Sequence, residues 1–307
     1  MKFSIIIPTK DRPEELQRFL KSVEIQEVKP DQIIIVDGSD HPVRAVVEEF
    51  EGLPINYLPV RPPGLVKQRH VGINALQPNI PVFGFFDDDI VLEPGAFRAM
   101  HDFWNQHFAE YGGFGMNIVN AAEVTYRKHG WYLRLFMIRD DRRPGSILKS
   151  CRSVPYSPCS ESRPTEWLCG GATFWKREIF KEINYDPWFK GWGMSDDLEF
   201  SIRVGKKYKL AVVSGAKVQH LETETRRGRH FLRGYIGAMN TMRIAGVHRE
   251  YSLLCAGWSW FGQGTARMLH GILTFNTGET LMGLGHLAAV AVGMSTGFRS
   301  LEMQVKQ

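Results

Sequence analysis

The chain has 307 residues, 43% of them hydrophobic and 23% charged, which is enough apolar material for a large core and excludes general disorder. Its 38 Lys+Arg against 33 Asp+Glu leave a formal charge of +5, a surplus too small to indicate nucleic acid by itself, although it suits an anionic ligand or a phospholipid surface. Four cysteines, at 151, 159, 169 and 255, form no CxxC pair, and the chain opens on a strand pattern with no secretory signal in view, so a reduced compartment is expected.

"KFSIIIPT" reads as a buried strand over Phe3–Ile7, stopped by Pro8. "DRPEELQRFLKSV" reads as a helix capped by Asp11, with Arg12 and Pro13 in its first turn and Glu14 three residues on from the cap. The unit then repeats. "QIIIVDGSD" is a strand ending in Asp37, "HPVRAVVEEF" a helix, "INYLPV" a strand, "GLVKQRHVGINAL" a helix, and "VFGFF" a strand ending in Asp87. Near-continuous branched and aromatic strands alternating with short helices predict an α/β fold, a mostly parallel sheet with helices on both faces. Such sheets bind ligands outside the carboxyl ends of their strands, where Pro8, Asp37 and Asp87 to Asp89 fall.

From Tyr111 the regularity loosens. "GGFGMNIVNA" adds a strand, and residues 121–168, with Pro144, Pro155, Pro158 and Pro164, form a long irregular or partly helical insertion. "ATFWKREIFKEI" resumes order, and "SDDLEFSIRVGKK" is a helix with Leu198 and Ile202 inward and Asp196 and Asp197 in its first turn. "KLAVVSGAKVQHLE" supplies one or two short strands ending at His220. The α/β domain is expected to span residues 1–225. Residues 226–307 form a basic and apolar helical extension, opening with Arg226, Arg227, Arg229, His230 and Arg233 and holding uncharged stretches at 251–266 and 280–298. The second stretch contains His286 and several glycines, so a helix lying on a membrane or packed on the rest is expected before a spanning one.

The acidic run Asp87, Asp88 and Asp89 is the main chemical signal. A solvated turn and helix cap before Pro94 is the bland account. No Lys or Arg occurs between Ile80 and Gly95, however, and three carboxylates repel one another unless something positive joins them. Strand alternation turns Asp87 and Asp89 to one side and Asp88 to the other, and oxygen ligands of this kind suit Mg2+ or Mn2+ bridging a diphosphate. Asp37 is either a turn cap or an acceptor for a nucleoside base or ribose. The chain has neither a GxGxxG after its first strand nor a GxxxxGK[ST] loop. Lys67 and Arg69 are surface charges or a clamp on phosphate oxygens. Asp196 and Asp197 are helix caps or a carboxylate pair that takes a proton from a hydroxyl, and Trp188, Phe189 and Trp192 nearby suit the face of a sugar ring. Gly170 and Gly171 permit close approach of backbone to ligand. His220, close to Glu222, is either structural or a metal ligand.

Over about residues 3–220 these motifs, in this order, resemble family 2 glycosyltransferases, inverting enzymes with the nucleotide-binding GT-A fold. The resemblance implies that Pro8 and Thr9 line a nucleoside pocket with Asp11 in the following turn, and that Asp37 of "IIVDGSD" holds the base. Arg69 of "KQRHVGIN" matches the basic residue near the nucleotide, although His70 stands where the family usually has Asn. "FFDDDIVLEPG" is similar to the DxD motif, implying Asp87 on ribose or metal and Asp89 as a direct ligand of Mn2+ or Mg2+. "WLCGGATFWKREIF" is similar to the segment flanking the acceptor site. "GWGMSDDLEF" is similar to the ED motif, with Asp196 in place of the Glu and Asp197 as the base. His220 of "KVQHLE" matches a histidine that completes the metal site. The donor implied is a UDP-, dTDP- or GDP-sugar and the acceptor a sugar or lipid-linked glycan. "RGYIGAMNTMRIAGVH" and residues 262–298 resemble the carboxyl-terminal helices of bacterial members found at the cytoplasmic face of a membrane, so a cytoplasmic enzyme peripheral to the inner face is expected. No QxxRW motif is present, which favours transfer of a single sugar. A retaining enzyme of the same fold, a sugar-phosphate nucleotidyltransferase and a catalytically idle sugar- or nucleotide-binding protein remain the alternatives. The second lacks its Gly-rich, basic-ended loop, and the third has to explain the set Asp37, Asp87, Asp89 and Asp197.

Overall fold

The computed structural model describes residues 1–121, 130–221 and 229–296. These form two compact units, one built from residues 1–123 and 156–223, the other from 124–155 and 224–307. Glu222, Arg226 and Arg227 lie outside the described residues.

The first unit is one mixed nine-stranded sheet. Its parallel half is β1 (Phe3–Thr9), β2 (Gln32–Asp37), β3 (Ile55–Pro59) and β4 (Val82–Phe86), in the order β3-β2-β1-β4. Alternation along β1 shows why both faces are covered. Ile5 and Ile7 join a core cluster with Leu16, Phe19 and Phe97 from helices α1 (Pro13–Glu24) and α4 (Ala96–His107). Ile6 points the other way into α3 (Leu65–Asn74), where Gly72 comes so close that a Cβ would sit 2.4 Å from the Ile6 side chain. The intervening α2 is short, Arg44–Glu48.

Two expectations about the first turn need correction. Pro8 does not end β1, which runs on to Thr9. Pairing with β4 stops at Ile6↔Phe85, so Pro8 lies where one flank of β1 is already open and its missing N–H removes no ladder bond. Asp11 does not cap α1 either. Arg12 is the N-cap residue, with Pro13 following, while the Asp11 carboxylate accepts from the Asp40 N–H at 2.7 Å.

Beyond β4 the sheet turns antiparallel. After β5 (Ile90–Leu92) and α4 come β6 (Tyr111–Ile118), β7 (Arg163–Thr165), β8 (Ala172–Lys176), α6 (Asp196–Gly205) and β9 (Lys209–His220). β8 lies antiparallel between β4 and β6, β9 runs parallel to β6, and both β5 and β7 pair antiparallel with β9. β9 is thus a single 12-residue strand rather than two short ones. Gly84 and Gly113 sit under Phe174 and Trp175 of β8, where a Cβ would be 2.9 Å and 2.4 Å from the respective ring carbons.

The second unit consists of α5 (Gly130–Leu135), the segment to Pro155, α7 (His230–Val247), α8 (Leu253–Leu273) and α9 (Thr277–Thr296). α5 docks on α8. The Tyr132 hydroxyl donates to the Gly262 carbonyl at 2.7 Å, Trp258 Nε1 donates to the Leu135 carbonyl at 2.9 Å, and Phe136 stacks on Trp258 with centroids 4.5 Å apart. Among the described residues, no helix is long and apolar enough to cross a membrane.

Candidate active site

The site gathers at the carboxyl end of β4, where the chain leaves a fully buried apolar strand and places three carboxylates in succession. The next strand supplies the first of their partners. β5 begins at once and pairs with the end of β9 in the register Ile90↔His220, and Leu221 N–H donates to the Asp89 carbonyl at 3.0 Å. His220 Nε2 therefore lies 3.2 Å from Asp89 Oδ1. Asn120 clamps the same turn, donating to the His220 carbonyl at 2.9 Å and accepting its N–H at 2.8 Å. Asp87, Asp89 and His220 each offer a ligand atom, and these atoms all lie within 4.8 Å of one another. Two carboxylates and one imidazole in that space fit a divalent cation of the Mg2+ or Mn2+ type.

Asp88 faces away, as alternation requires, and joins a separate network. It accepts from Thr9 Oγ1 at 2.7 Å and from Arg12 at 2.6 Å, and Arg12 also reaches Asp89 at 3.2 Å. Burial pushes Asp88 up to about 7, against the pull of Arg12 and Thr9. Burial raises Asp87 as well, with Arg69 opposing. At Asp89 burial acts in the same direction, but His220 and Arg12 outweigh it and hold the carboxyl below its usual range. The ligand expected to bind directly is thus the one held most strongly as a carboxylate.

The opposite wall comes from the turn into β8. The Phe86↔Ala172 register carries the backbone past Asp87, whose N–H donates to the Gly171 carbonyl at 2.9 Å. A Cβ on Gly171 would lie 2.4 Å from Asp87 Oδ2, and one on Gly170 would lie 2.7 Å from the Arg69 guanidinium and 3.1 Å from Asp197 Cβ. The two glycines make room for these protein side chains. Asp197, in the first turn of α6, accepts from the Gly170 N–H at 2.9 Å and the Leu198 N–H at 2.8 Å. Both bonds fix its orientation within electrostatic reach of Asp87. Asp196 turns inward to Arg69 at 2.5 Å, and burial pushes it up to about 7 with Arg69 opposing. The left-handed backbone at Ser195 (φ 69) and Gly193 (φ 62) makes the tight entry to α6.

Arg69 and Lys67 do not form a shared phosphate clamp. Two residues apart on a helix, they point about 200° from each other. Lys67 is exposed and donates to the Arg61 carbonyl at 2.7 Å. Arg69 is 2% exposed, sandwiched between the rings of Phe85 and Tyr185 at 5.3 Å and 4.8 Å, and bonded to Asp196 and to the Gly170 carbonyl. It ties α3 to the 170 turn and to α6. Asp37 is also internally engaged, accepting from the N–H groups of Ser39 (2.7 Å) and Val43 (3.0 Å) and from the Tyr57 hydroxyl. Burial would raise its pKa, but these bonds outweigh it and keep Asp37 below the usual range. Pro8 and Thr9 are buried at the end of β1, and Asp11 is exposed at the turn, its N–H on Ser39 Oγ at 2.7 Å. Trp188 and Trp192 are partly exposed near the start of α6, whereas Phe189, at 1% exposure, belongs to the core.

Three contributors were not legible as site residues. Arg12 supplies the positive charge that no residue from 80 to 95 could. Gln68 staples β1 to β2 by donating to the carbonyls of Thr9 (3.0 Å) and Val36 (2.7 Å). Asn120 fixes the His220 backbone. Each acts across more than 30 residues of sequence, a separation that local pattern does not reveal.

Residues 4–153 match the sequence model of glycosyl transferase family 2. The matched stretch, which takes in β1 to β6 and the Asp87 to Asp89 run, carries the family 2 signature on a GT-A-like sheet, in agreement with the motif order. No curated protein matches the sequence. Among solved structures the chain is similar to S. aureus TarS 1-349, with a TM-score of 0.53 and 14% identity over 97% of this chain and 92% of that one. The same TarS fragment in complex with UDP-GlcNAc gives 0.51. GalNAc-T7, solved with UDP, GalNAc and Mn2+, gives 0.59 at 14% identity over 96% of this chain and 58% of that one. At such identity the likeness is one of fold.

Proposed function

We propose that the chain transfers one sugar from a nucleoside-diphosphate donor to an acceptor hydroxyl, with inversion at the anomeric carbon. The observation that carries this reading is the Asp87, Asp89 and His220 cluster set beside an oriented Asp197 at the ligand edge of the sheet. Asp87, Asp89 and His220 would hold a Mn2+ or Mg2+, whose chemistry is to neutralise the charge gathering on the diphosphate leaving group. The solved relatives with UDP-GlcNAc, and with UDP, GalNAc and Mn2+, make a UDP-sugar the first donor to try.

Asp197 acts as the base. Its two backbone hydrogen bonds hold one carboxylate lone pair toward the acceptor hydroxyl, and it takes the proton as that oxygen attacks from the face opposite the nucleotide. Asp196 and Arg69 position Asp197 from beneath through the Gly170 turn. Pro8, Thr9 and Asp37 form the nucleoside side of the pocket, with Asp11 in the turn beyond it, while Gly170, Gly171, Trp188 and Trp192 form the acceptor side. These roles place catalysis in the α/β domain, residues 1–225. A panel of UDP-, dTDP- and GDP-sugars with Mn2+ and simple or lipid-linked acceptors tests the reading. An anomerically inverted product, seen by NMR, supports it. A retained configuration, or pyrophosphate released from a nucleoside triphosphate, replaces it.

The reading extends to a cytoplasmic enzyme resting on the inner face of a membrane through residues 226–307. α8 exposes Leu254, Trp258, Phe261, Leu269 and Ile272 along one side, which supports contact with an interface. Full-length protein that stays in the supernatant with anionic vesicles at low salt ends that part of the proposal.

A further inference from the structure

The two oxygens of Asp89 face different partners. Oδ1 lies 3.2 Å from His220 Nε2, within the Asp87, Asp89 and His220 cluster, and Oδ2 accepts from the Arg12 guanidinium at 3.2 Å. The same Arg12 nitrogen donates to Asp88 Oδ1 at 2.6 Å, while Thr9 Oγ1 donates to Asp88 Oδ2 at 2.7 Å. One nitrogen thus bridges two successive carboxylates that strand alternation sends to opposite sides.

The β1–α1 turn holds that nitrogen in place. Between Thr9, the last residue of β1, and Arg12, the N-cap residue of α1, the backbone is left-handed at Asp11 (φ 54), which is uncommon outside glycine. Local bonds sustain it. The Asp11 N–H donates to Ser39 Oγ at 2.7 Å, and the Asp11 carboxylate accepts from the Asp40 N–H at 2.7 Å. The turn is therefore pinned to the loop after β2, and it aims Arg12, whose side chain is 16% exposed, at the acidic run.

A guanidinium on Oδ2 restricts how Asp89 ligates a cation. A two-oxygen carboxylate grip suits Ca2+, which takes about six to eight oxygens at roughly 2.3–2.6 Å, whereas Mg2+ demands a near-ideal octahedron at about 2.0–2.1 Å. Arg12 engages Oδ2 and sets positive charge beside it, so a divalent ion meets competition and repulsion at that oxygen. We propose that Arg12 is a positioning residue that makes Asp89 a one-oxygen ligand through Oδ1 and so biases the site toward small octahedral cations over Ca2+. This rests on the Asp87, Asp89 and His220 cluster holding a divalent cation. It differs from simple charge balance, which acts alike on every divalent ion.

Displacement of Mn2+ from full-length protein, followed by electron paramagnetic resonance at a fixed concentration of UDP, gives the affinities for Mg2+ and Ca2+. The quantity read is the ratio of the two, from which general electrostatics and the preference of UDP itself cancel between proteins. In Arg12→Met the ratio is expected to move toward Ca2+ by about tenfold, as the second oxygen becomes available. Losing Arg12 also removes the ion pair of the buried Asp88, so the substitution is repeated in Asp88→Asn, where no carboxylate is stranded if Arg12→Met alone fails to fold. The same shift is expected when Arg12→Met is added to Asp88→Asn. Mg2+ and Ca2+ affinities that change in step, or do not change, on loss of Arg12 overturn the proposal while leaving the metal site intact. A wild-type protein that binds no Mn2+ overturns the metal reading itself.

Discussion

Gly171→Ala perturbs the site through a single methyl group. The added Cβ would stand 2.4 Å from Asp87 Oδ2 and 2.9 Å from its Cγ. That is about 1 Å short of ordinary contact, and the clash cannot be shared along a long side chain. Asp87 has a short one, its own N–H is tied to the Gly171 carbonyl at 2.9 Å, and Phe86↔Ala172 pairing holds both backbones. The carboxylate must therefore rotate away. Overpacking of this kind costs about 1–3 kcal/mol of stability, so the fold should survive with a modestly lower Tm. The effect on ligation is larger, because Mg2+ tolerates little departure from distances of about 2.0–2.1 Å. Metal-dependent binding of UDP, measured by calorimetry with Mn2+ and with Mg2+, is expected to weaken by about tenfold or more, with a proportionate loss of transfer. Calorimetry matching wild type, alongside the expected small drop in Tm, would refute the placement of Asp87 against the Gly171 turn as a metal ligand.

Asp197→Asn should leave donor affinity near wild type and lower the transfer rate by something on the order of 10²–10⁴, as expected for loss of a base; collapse of UDP-sugar affinity with transfer at saturation intact would reverse the assigned roles. Asp196 offers a pH test. Its carboxyl is raised to about 7 in the fold, so the native state keeps a proton that the unfolded chain releases near the ordinary value of 3.8. The associated stability is present below about pH 4 and is lost as pH rises through about 7, with an upper bound on the order of 4 kcal/mol from the size of the shift. Denaturant unfolding of Asp196→Asn between pH 4.5 and 8 should show a flatter pH profile than wild type, whatever its absolute stability; parallel profiles would contradict the burial-driven shift.

The parallel half of the fold was legible because its strands are near-continuous apolar runs alternating with helix patterns, and local periodicity is enough to read that. Asp87 and Asp89 of the candidate metal cluster were legible as carboxylates delivered by a buried strand. His220 stayed open between a structural residue and a metal ligand until the resemblance was added, since its place depends on a three-residue strand, Ile90–Leu92, that reverses to pair with β9. Arg12 was not legible as the counter-charge because it lies 76 residues from Asp88 in sequence, and only the parallel pairing of β1 with β4 brings the start of α1 to Asp88. The phosphate clamp failed on helix geometry: the same spacing that made Lys67 and Arg69 look like a pair sends them to opposite faces. α4 went unread behind the acidic run, although Phe97, Met100 and Trp104 at spacings of three and four carry its core stripe.

The central claim is that Asp87, Asp89 and His220 bind a divalent cation on behalf of a nucleoside diphosphate. Electron paramagnetic resonance of Mn2+, titrated into full-length wild type and Asp89→Asn with and without UDP, tests it most directly. The account predicts one Mn2+ per chain in wild type, bound more tightly when UDP is present, and a loss of at least tenfold in that UDP-linked affinity in Asp89→Asn while circular dichroism shows the fold intact. Equal Mn2+ affinity and equal UDP dependence in the two proteins would contradict it.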